Sequence, residues 1–103
     1  MKKAFTIVIY TENTMGLLVR LIGIFSRRRI LIESLNVVAA EVEGIYRFTI
    51  VITETEEVTI KLMQQIDKQV DVFESFFQSG EEAMPKDEFL LKINNANKEI
   101  ERG

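Results

Sequence analysis

The first part of the chain changes from a two-residue period of apolar positions to a helical one. Residues 4–11 alternate between two sets of β-branched and aromatic side chains, which predicts a strand. One face of this strand carries Phe5, Ile7 and Ile9, and the other carries Thr6, Val8 and Tyr10. From residue 16 to residue 29, apolar side chains recur three and four positions apart, which predicts an amphipathic helix. These side chains are Leu17, Leu18, Leu21, Ile22, Ile24 and Phe25.

The middle of the chain predicts a hairpin and then a second helix. Residues 31–41 and 45–53 are the two strands of the hairpin, and the turn between them ends in Gly44. Thr55 is predicted to cap a helix that ends near residue 69, because threonine side chains accept hydrogen bonds from the first turn of a helix.

A fourth strand over residues 70–78 completes the pattern. Its apolar side chains fall on both faces, with Val70, Val72 and Phe76 on one and Phe73 and Phe77 on the other. The order strand, helix, strand, strand, helix, strand predicts an α+β ferredoxin-like βαββαβ fold. In that fold a four-stranded antiparallel sheet carries both helices on one face.

The sheet face opposite the helices is expected to be apolar and uncovered. Monomers rarely expose a patch of several hundred Å² of this kind, which favours a second copy of the chain as its cover. Two alternatives stay open, namely a C-terminal tail that folds over the face and single-stranded RNA that stacks on it. The RNA alternative would use Tyr46 and Phe48 on the third strand, whereas we interpret both side chains as core packing beneath the helices.

Composition removes several classes of function. The chain has 103 residues with a net charge of −3, which argues against non-specific binding of nucleic acid. It contains no cysteine and no histidine, so it lacks the usual thiol nucleophiles, general bases and zinc ligands. Its acidic side chains are scattered, and we therefore expect no catalytic site on this chain. No apolar run approaches the roughly 18 residues that span a membrane, and we expect a cytoplasmic protein.

The composition of the sequence changes after Ser79. Residues 1–79 are predicted to form one domain, and residues 80–103 a linker and the start of a truncated C-terminal domain. The linker prediction rests on a glycine, the one proline and a mixed charge run, and residues 88–93 could form a further short strand.

Three motifs within residues 12–37 resemble one protein family. They are E-N-x-x-G-x-L from Glu12, R-x-I-G-x-F-S from Arg20, and I-E-S-L from Ile32. In combination they resemble the ACT domain that opens the small regulatory subunits of acetolactate (acetohydroxyacid) synthase. The later stretch QQIDKQVDV, residues 64–72, is also similar to that family, and the likeness covers about the first 78 residues.

The resemblance implies a regulatory role in branched-chain amino-acid biosynthesis. Such subunits form a homodimer through the ACT sheet, bind and activate the catalytic subunit, and confer feedback inhibition by valine or a related branched-chain amino acid. Thiamine diphosphate, a divalent metal and FAD are then expected on the catalytic subunit and no cofactor on this chain. The alternative is a stand-alone ACT-type module that senses amino acids or mediates interactions without an enzyme partner.

The resemblance also implies where the effector binds, namely between the first loop of one protomer and the start of the second strand of the other. Free backbone N–H groups at a helix N-terminus can receive a carboxylate, and a glycine there lets the ligand come close. The expected effector-binding residues are Asn13, Thr14, Met15, Gly16, Leu17, Leu18, Leu31 and Ile32.

Two positions depart from the family pattern at the end of the first helix. The family's glycine is Arg29 here, so the helix is expected to end without an easy left-handed residue. The family's asparagine is Leu31, which cannot replace the polar contacts of an amide with the effector.

Overall fold

The computed structural model describes residues 1–12 and 15–80 and contains the predicted elements in the predicted order. The four strands form one antiparallel sheet in the order β2-β3-β1-β4, so β1 and β3 are central and β2 and β4 are edges. The ferredoxin-like prediction is confirmed. The elements are β1 (Lys3–Glu12), α1 (Met15–Arg27), β2 (Ile32–Ala39), β3 (Ile45–Glu54), α2 (Glu56–Asp67) and β4 (Val72–Ser79).

Both helices pack on the same face of the sheet, as the alternation in β1 predicts. Phe5, Ile7 and Ile9 of β1 point into this layer and are almost fully buried. Burial of side chains of this size contributes about 1.5–3 kcal/mol each, so the layer is the main source of stability. From the helices it takes Leu17, Leu21, Ile24 and Phe25 of α1 and Leu62, Met63 and Ile66 of α2.

The aromatic side chains of β3 belong to the core beneath the helices. Phe48 is buried in the main cluster, and Tyr46 packs against it. Their interpretation as core residues is confirmed, and neither ring lies on the face where stacked RNA bases would bind.

The face opposite the helices is covered along β1, so the expectation of an uncovered face is wrong for this strand. Val8 and Tyr10 are buried there and form a small second cluster. The turn between β2 and β3 supplies part of the cover. The partly buried side chains packed against the cluster are Ala40, Val42, Ile45 and Phe76.

A bulge in β4 changes which face its side chains occupy. β4 contains one extra residue, Phe73, where the register of its pairing with β1 shifts. A bulge reverses the alternation that follows it. Val72 and Phe77 therefore both pack against the main core, while Phe76 packs on the opposite face. The predicted grouping of Val72 with Phe76 is wrong for this reason.

Helix α1 ends two residues before its predicted end, and Arg29 itself takes the left-handed conformation, with φ of 57°. The N–H of Arg29 donates to the carbonyl of Ser26 at 3.0 Å, and the N–H of Ile30 donates to that of Phe25 at 2.9 Å. This pair of hydrogen bonds is the Schellman motif, in which glycine is the usual left-handed residue. Buried Ile30 anchors the turn in the core.

Thr55 caps α2 as predicted, since its side chain accepts a hydrogen bond from the N–H of Val58 at 3.1 Å. Neither described helix has the length and apolar character to cross a membrane. A cytoplasmic location stays a prediction. The predicted linker and short strand after residue 80 lie outside the described residues.

We expect Arg29→Gly to stabilise the protein. The left-handed conformation costs a non-glycine residue about 1–2 kcal/mol, of which the extra chain entropy of glycine offsets about 0.5–1. The free energy of unfolding should therefore rise by roughly 0.5–1 kcal/mol in a urea titration. Arg29→Ala is the control, because it removes the side chain and keeps the strained Cβ. Equal stabilisation by both variants would contradict the assignment of strain to the backbone.

Candidate functional site

A small cavity opens where β1 ends and α1 begins, on the helix side of the sheet. Its volume is about 130 Å³, which equals roughly four water molecules in the liquid. A space of this size accommodates a single small side chain. The cavity is lined by Thr11 and Glu12 of β1, Met15 and Leu18 of α1, Val37 of β2, and Tyr46 and Phe48 of β3.

Strand register brings these residues together from distant parts of the chain. Tyr46 lies opposite Thr11 across the β1–β3 pair, and Val37 lies opposite Phe48 across the β2–β3 pair. Residues directly opposite each other share a face of the sheet. Three strands and the first turn of α1 therefore each supply part of the wall.

The cavity is amphipathic. Exposed Glu12 is the one acidic residue among the described residues that line the cavity, and its carboxylate could pair with an ammonium group. The buried hydroxyl of Thr11 already donates to the carbonyl of Glu12 at 3.1 Å. The apolar walls come from Met15, Leu18, Val37 and Phe48.

Two interactions hold the rim of the cavity in place. The N–H of Glu12 donates to the carbonyl of Asp71 at 3.0 Å, and the carboxylate of Asp71 forms an ion pair with Arg20 on α1. The end of β1 and the outer side of α1 are thus both fastened to the segment before β4.

Of the predicted effector-binding residues, Met15 and Leu18 line the cavity. Asn13 and Thr14 lie between β1 and α1, outside the described residues.

Gly16 and Leu17 have different surroundings although they are neighbours. Gly16 is exposed, and a Cβ added to it would meet no atom within 4 Å. Leu17 is fully buried in the main core, so its side chain packs against the sheet and is not available to a ligand in this chain.

Leu31 and Ile32 lie at the other end of the molecule. Ile32 pairs with Ile52, whereas Ala39, at the far end of β2, pairs with Tyr46 of the cavity. Seven residues of strand separate the two ends by about 23 Å. Leu31 is 77% exposed, and Ile32 packs against the core. One chain therefore does not bring the two predicted halves of the site together.

Sequence reasoning did not assign Thr11, Glu12, Val37, Tyr46 or Phe48 to the site. Thr11 ends the predicted first strand, Glu12 follows it, and the two aromatic residues were interpreted as core. Counting back from the turn at Gly44 would have placed Val37 near Phe48, since hairpin register follows from the turn. Among the described residues, no group of three acidic side chains is placed to hold a metal ion.

Comparison with known sequences identifies one family. The family described as AHAS small subunit-like ACT domain matches residues 7–74. An acetolactate synthase small subunit of Mycobacterium leprae is 32% identical over 88 residues, covering 85% of this chain and 52% of that protein. The Bacillus subtilis small subunit is 31% identical over 97 residues, covering 93% and 55%. This chain thus spans about half the length of these two relatives.

The chloroplastic acetolactate synthase small subunit 1 of Nicotiana plumbaginifolia is 42% identical over 72 residues, which cover 70% of this chain and 16% of that protein.

Solved structures share the fold at low identity. The acetolactate synthase small subunit of Thermotoga maritima superposes with a TM-score of 0.68 at 20% identity, covering 82% of this chain and 50% of that one. The ACT domain of a GTP pyrophosphokinase from Chlorobium tepidum gives 0.66 at 22% identity, covering 80% and 92%. These likenesses establish the fold.

Proposed function

Since the chain belongs to the AHAS small subunit-like ACT domain family, we propose that it is a non-catalytic regulatory subunit of acetolactate synthase. It activates the catalytic subunit and makes that subunit sensitive to valine or a related branched-chain amino acid. The observation that carries the proposal is the family match over residues 7–74, which contains the whole lining of the amphipathic cavity.

In this proposal the catalytic partner performs the chemistry. It joins two pyruvates, or pyruvate and 2-oxobutyrate, with thiamine diphosphate, a divalent metal and FAD. The chain itself contributes binding surfaces and an effector site.

The cavity supports an amino acid with a short aliphatic side chain as effector. The aliphatic group packs against Met15, Leu18 and Val37, and the carboxylate of Glu12 pairs with the ammonium group. The effector's own carboxylate faces the start of α1, where backbone N–H groups have no partner within the helix.

A homodimer explains how Leu31 could reach this cavity. β2 is an edge strand with unpaired backbone groups, a surface on which another strand can add. An antiparallel β2–β2 pair centred between Leu35 and Asn36 places Leu31 of the second copy opposite Ala40. That is the end of β2 where the cavity lies.

Exposed apolar side chains beside the β2 edge support the same dimer. Along α1 they occur four and three residues apart, which is one helical row. Burial of such a row against its symmetry mate would form a self-complementary interface. The exposed side chains are Met15, Val19 and Ile22 of α1 and Leu35 and Val37 of β2.

Adding the chain to a purified acetolactate synthase catalytic subunit should raise its rate of acetolactate formation, and valine should then lower that rate. A colorimetric acetolactate assay measures both effects, with the catalytic subunit alone as control. An unchanged rate together with an absent valine response would refute the proposal. If calorimetry nevertheless shows amino-acid binding, the alternative of a stand-alone sensing module takes its place.

Gly16→Asp should abolish binding of valine, leucine and isoleucine in isothermal titration calorimetry, because it puts a negative charge where the effector's carboxylate lies. Gly16→Ala is the matched control for the fold, since a Cβ has open space there and alanine favours the helix. Binding by Gly16→Asp at wild-type affinity would place the effector elsewhere.

The same titration tests Leu31, because Leu31→Asn should tighten binding roughly tenfold by restoring a polar contact worth about 1–3 kcal/mol.

Ile22→Glu should convert the protein from dimer to monomer in sedimentation velocity, because it buries a charge in the proposed interface. Ile60→Glu is the matched control, since Ile60 on α2 is 43% exposed, close to the 46% of Ile22, and lies outside the interface. Dimers in both variants, or monomers in both, would contradict an interface that includes α1.

A further inference from the structure

A second, larger depression lies on the helix layer, between the end of α1 and the outer side of α2. Its volume is about 650 Å³, within the range of about 300–1,000 Å³ typical of ligand-binding clefts. It shares no residue with the cavity at the end of β1. The residues that line it are Arg28, Lys61, Gln64, Gln65, Lys68 and Gln69, and we call it the cationic groove.

The lining of the cationic groove consists of three cations and three carboxamides, with no acidic side chain. Nε of Arg28 donates to Oε1 of Gln65 at 2.6 Å. A neutral amide therefore orients the guanidinium and leaves its charge uncompensated. The remaining N–H groups of the guanidinium are still available as donors in a fixed plane.

Ion pairs within the chain neutralise little of this charge. Lys61 pairs with Glu57 at 3.4 Å, but both side chains are mostly exposed, and pairs of that kind are weak. Within residues 1–12 and 15–80, no carboxylate forms an ion pair with Arg28 or Lys68. The groove is thus locally positive on a chain whose net charge is −3.

We propose that the cationic groove binds an extended, acidic segment of a protein partner. Lys61 lies on α2 and Lys68 is the residue that caps its C-terminal end, seven positions later and about 10 Å farther along the helix axis. An extended chain advances about 3.4 Å per residue and points every second side chain to the same side, so acidic side chains two or four residues apart, about 7 or 14 Å, lie on either side of this distance. The long, flexible lysine side chains can make up the difference. Arg28 adds a planar site for a carboxylate, which guanidinium binds through two parallel hydrogen bonds.

The lining also favours a peptide over a nucleotide. No aromatic or aliphatic side chain is among the lining residues, so a base would find nothing on which to stack. The carboxamides of Gln64 and Gln69 instead offer donors and acceptors of the kind that pair with a peptide backbone.

Nuclear magnetic resonance titration of the full chain with a capped hexaglutamate peptide tests the proposal. At low salt we expect chemical-shift changes confined to the end of α1 and to α2, and none with hexaglutamine. Affinity should fall roughly tenfold in Arg28→Gln/Lys68→Gln, because charge-assisted hydrogen bonds are lost. Lys2→Gln/Lys3→Gln is the matched control, since it removes the same charge away from the groove, and affinity should change less than about twofold.

The proposal is overturned if hexaglutamate produces no shifts at low salt, or if the two double variants lose affinity equally. It is also overturned if inorganic pyrophosphate binds the groove more tightly than hexaglutamate, since a phosphate ligand is then the better occupant. If loss of the Arg28–Gln65 hydrogen bond unfolds the double variant, the single variant Lys68→Gln, which keeps this hydrogen bond, replaces it in the titration. The titration contains no catalytic subunit and no amino acid, so its result is independent of the regulatory role.

Discussion

The structure depends on the complete burial of β1. From Phe5 to Thr11, seven consecutive residues are buried, because β1 is paired on both edges and covered on both faces. Burial on two faces requires apolar side chains at both the odd and the even positions of the strand. Phe5, Ile7 and Ile9 pack against the helices, and Val8 and Tyr10 form the second cluster on the opposite face. Because both edges of β1 are paired and both of its faces are buried, its register is strongly specified and its last residue has a defined position. The cavity opens at that point.

Sequence reasoning recovered the parts of the fold that depend on local periodicity. The order of elements, the core role of Tyr46 and Phe48 and the cap at Thr55 all follow from spacing or from the chemistry of one side chain. The bulge at Phe73 did not follow, because one inserted residue reverses a strand's faces without changing its composition. Arg29 was recognised as unusual from the sequence. The structure shows that the turn keeps its hydrogen bonds, because Arg29 adopts the strained left-handed backbone conformation that glycine usually takes.

The candidate site was predicted only in part, for a related reason. Met15 and Leu18 lie within the E-N-x-x-G-x-L motif of residues 12–18, and both line the cavity. Val37 and Phe48 reach the cavity through the pairing of β2 with β3, which is a long-range property of the sheet. Leu17 shows the converse, since its place in the motif suggested a ligand contact while its position on the helix directs it into the core.

The distance between Leu31 and the cavity has a thermodynamic consequence under the proposed dimer. Each effector site then takes one part from each chain, so free monomers bind the effector poorly. Ligand that binds only the dimer shifts the association equilibrium by RT ln(1 + [L]/Kd) for each site. By reciprocity, dilution of the chain lowers its apparent affinity for the effector. The sensitivity of such a protein is set by its own abundance as well as by the shape of its pocket.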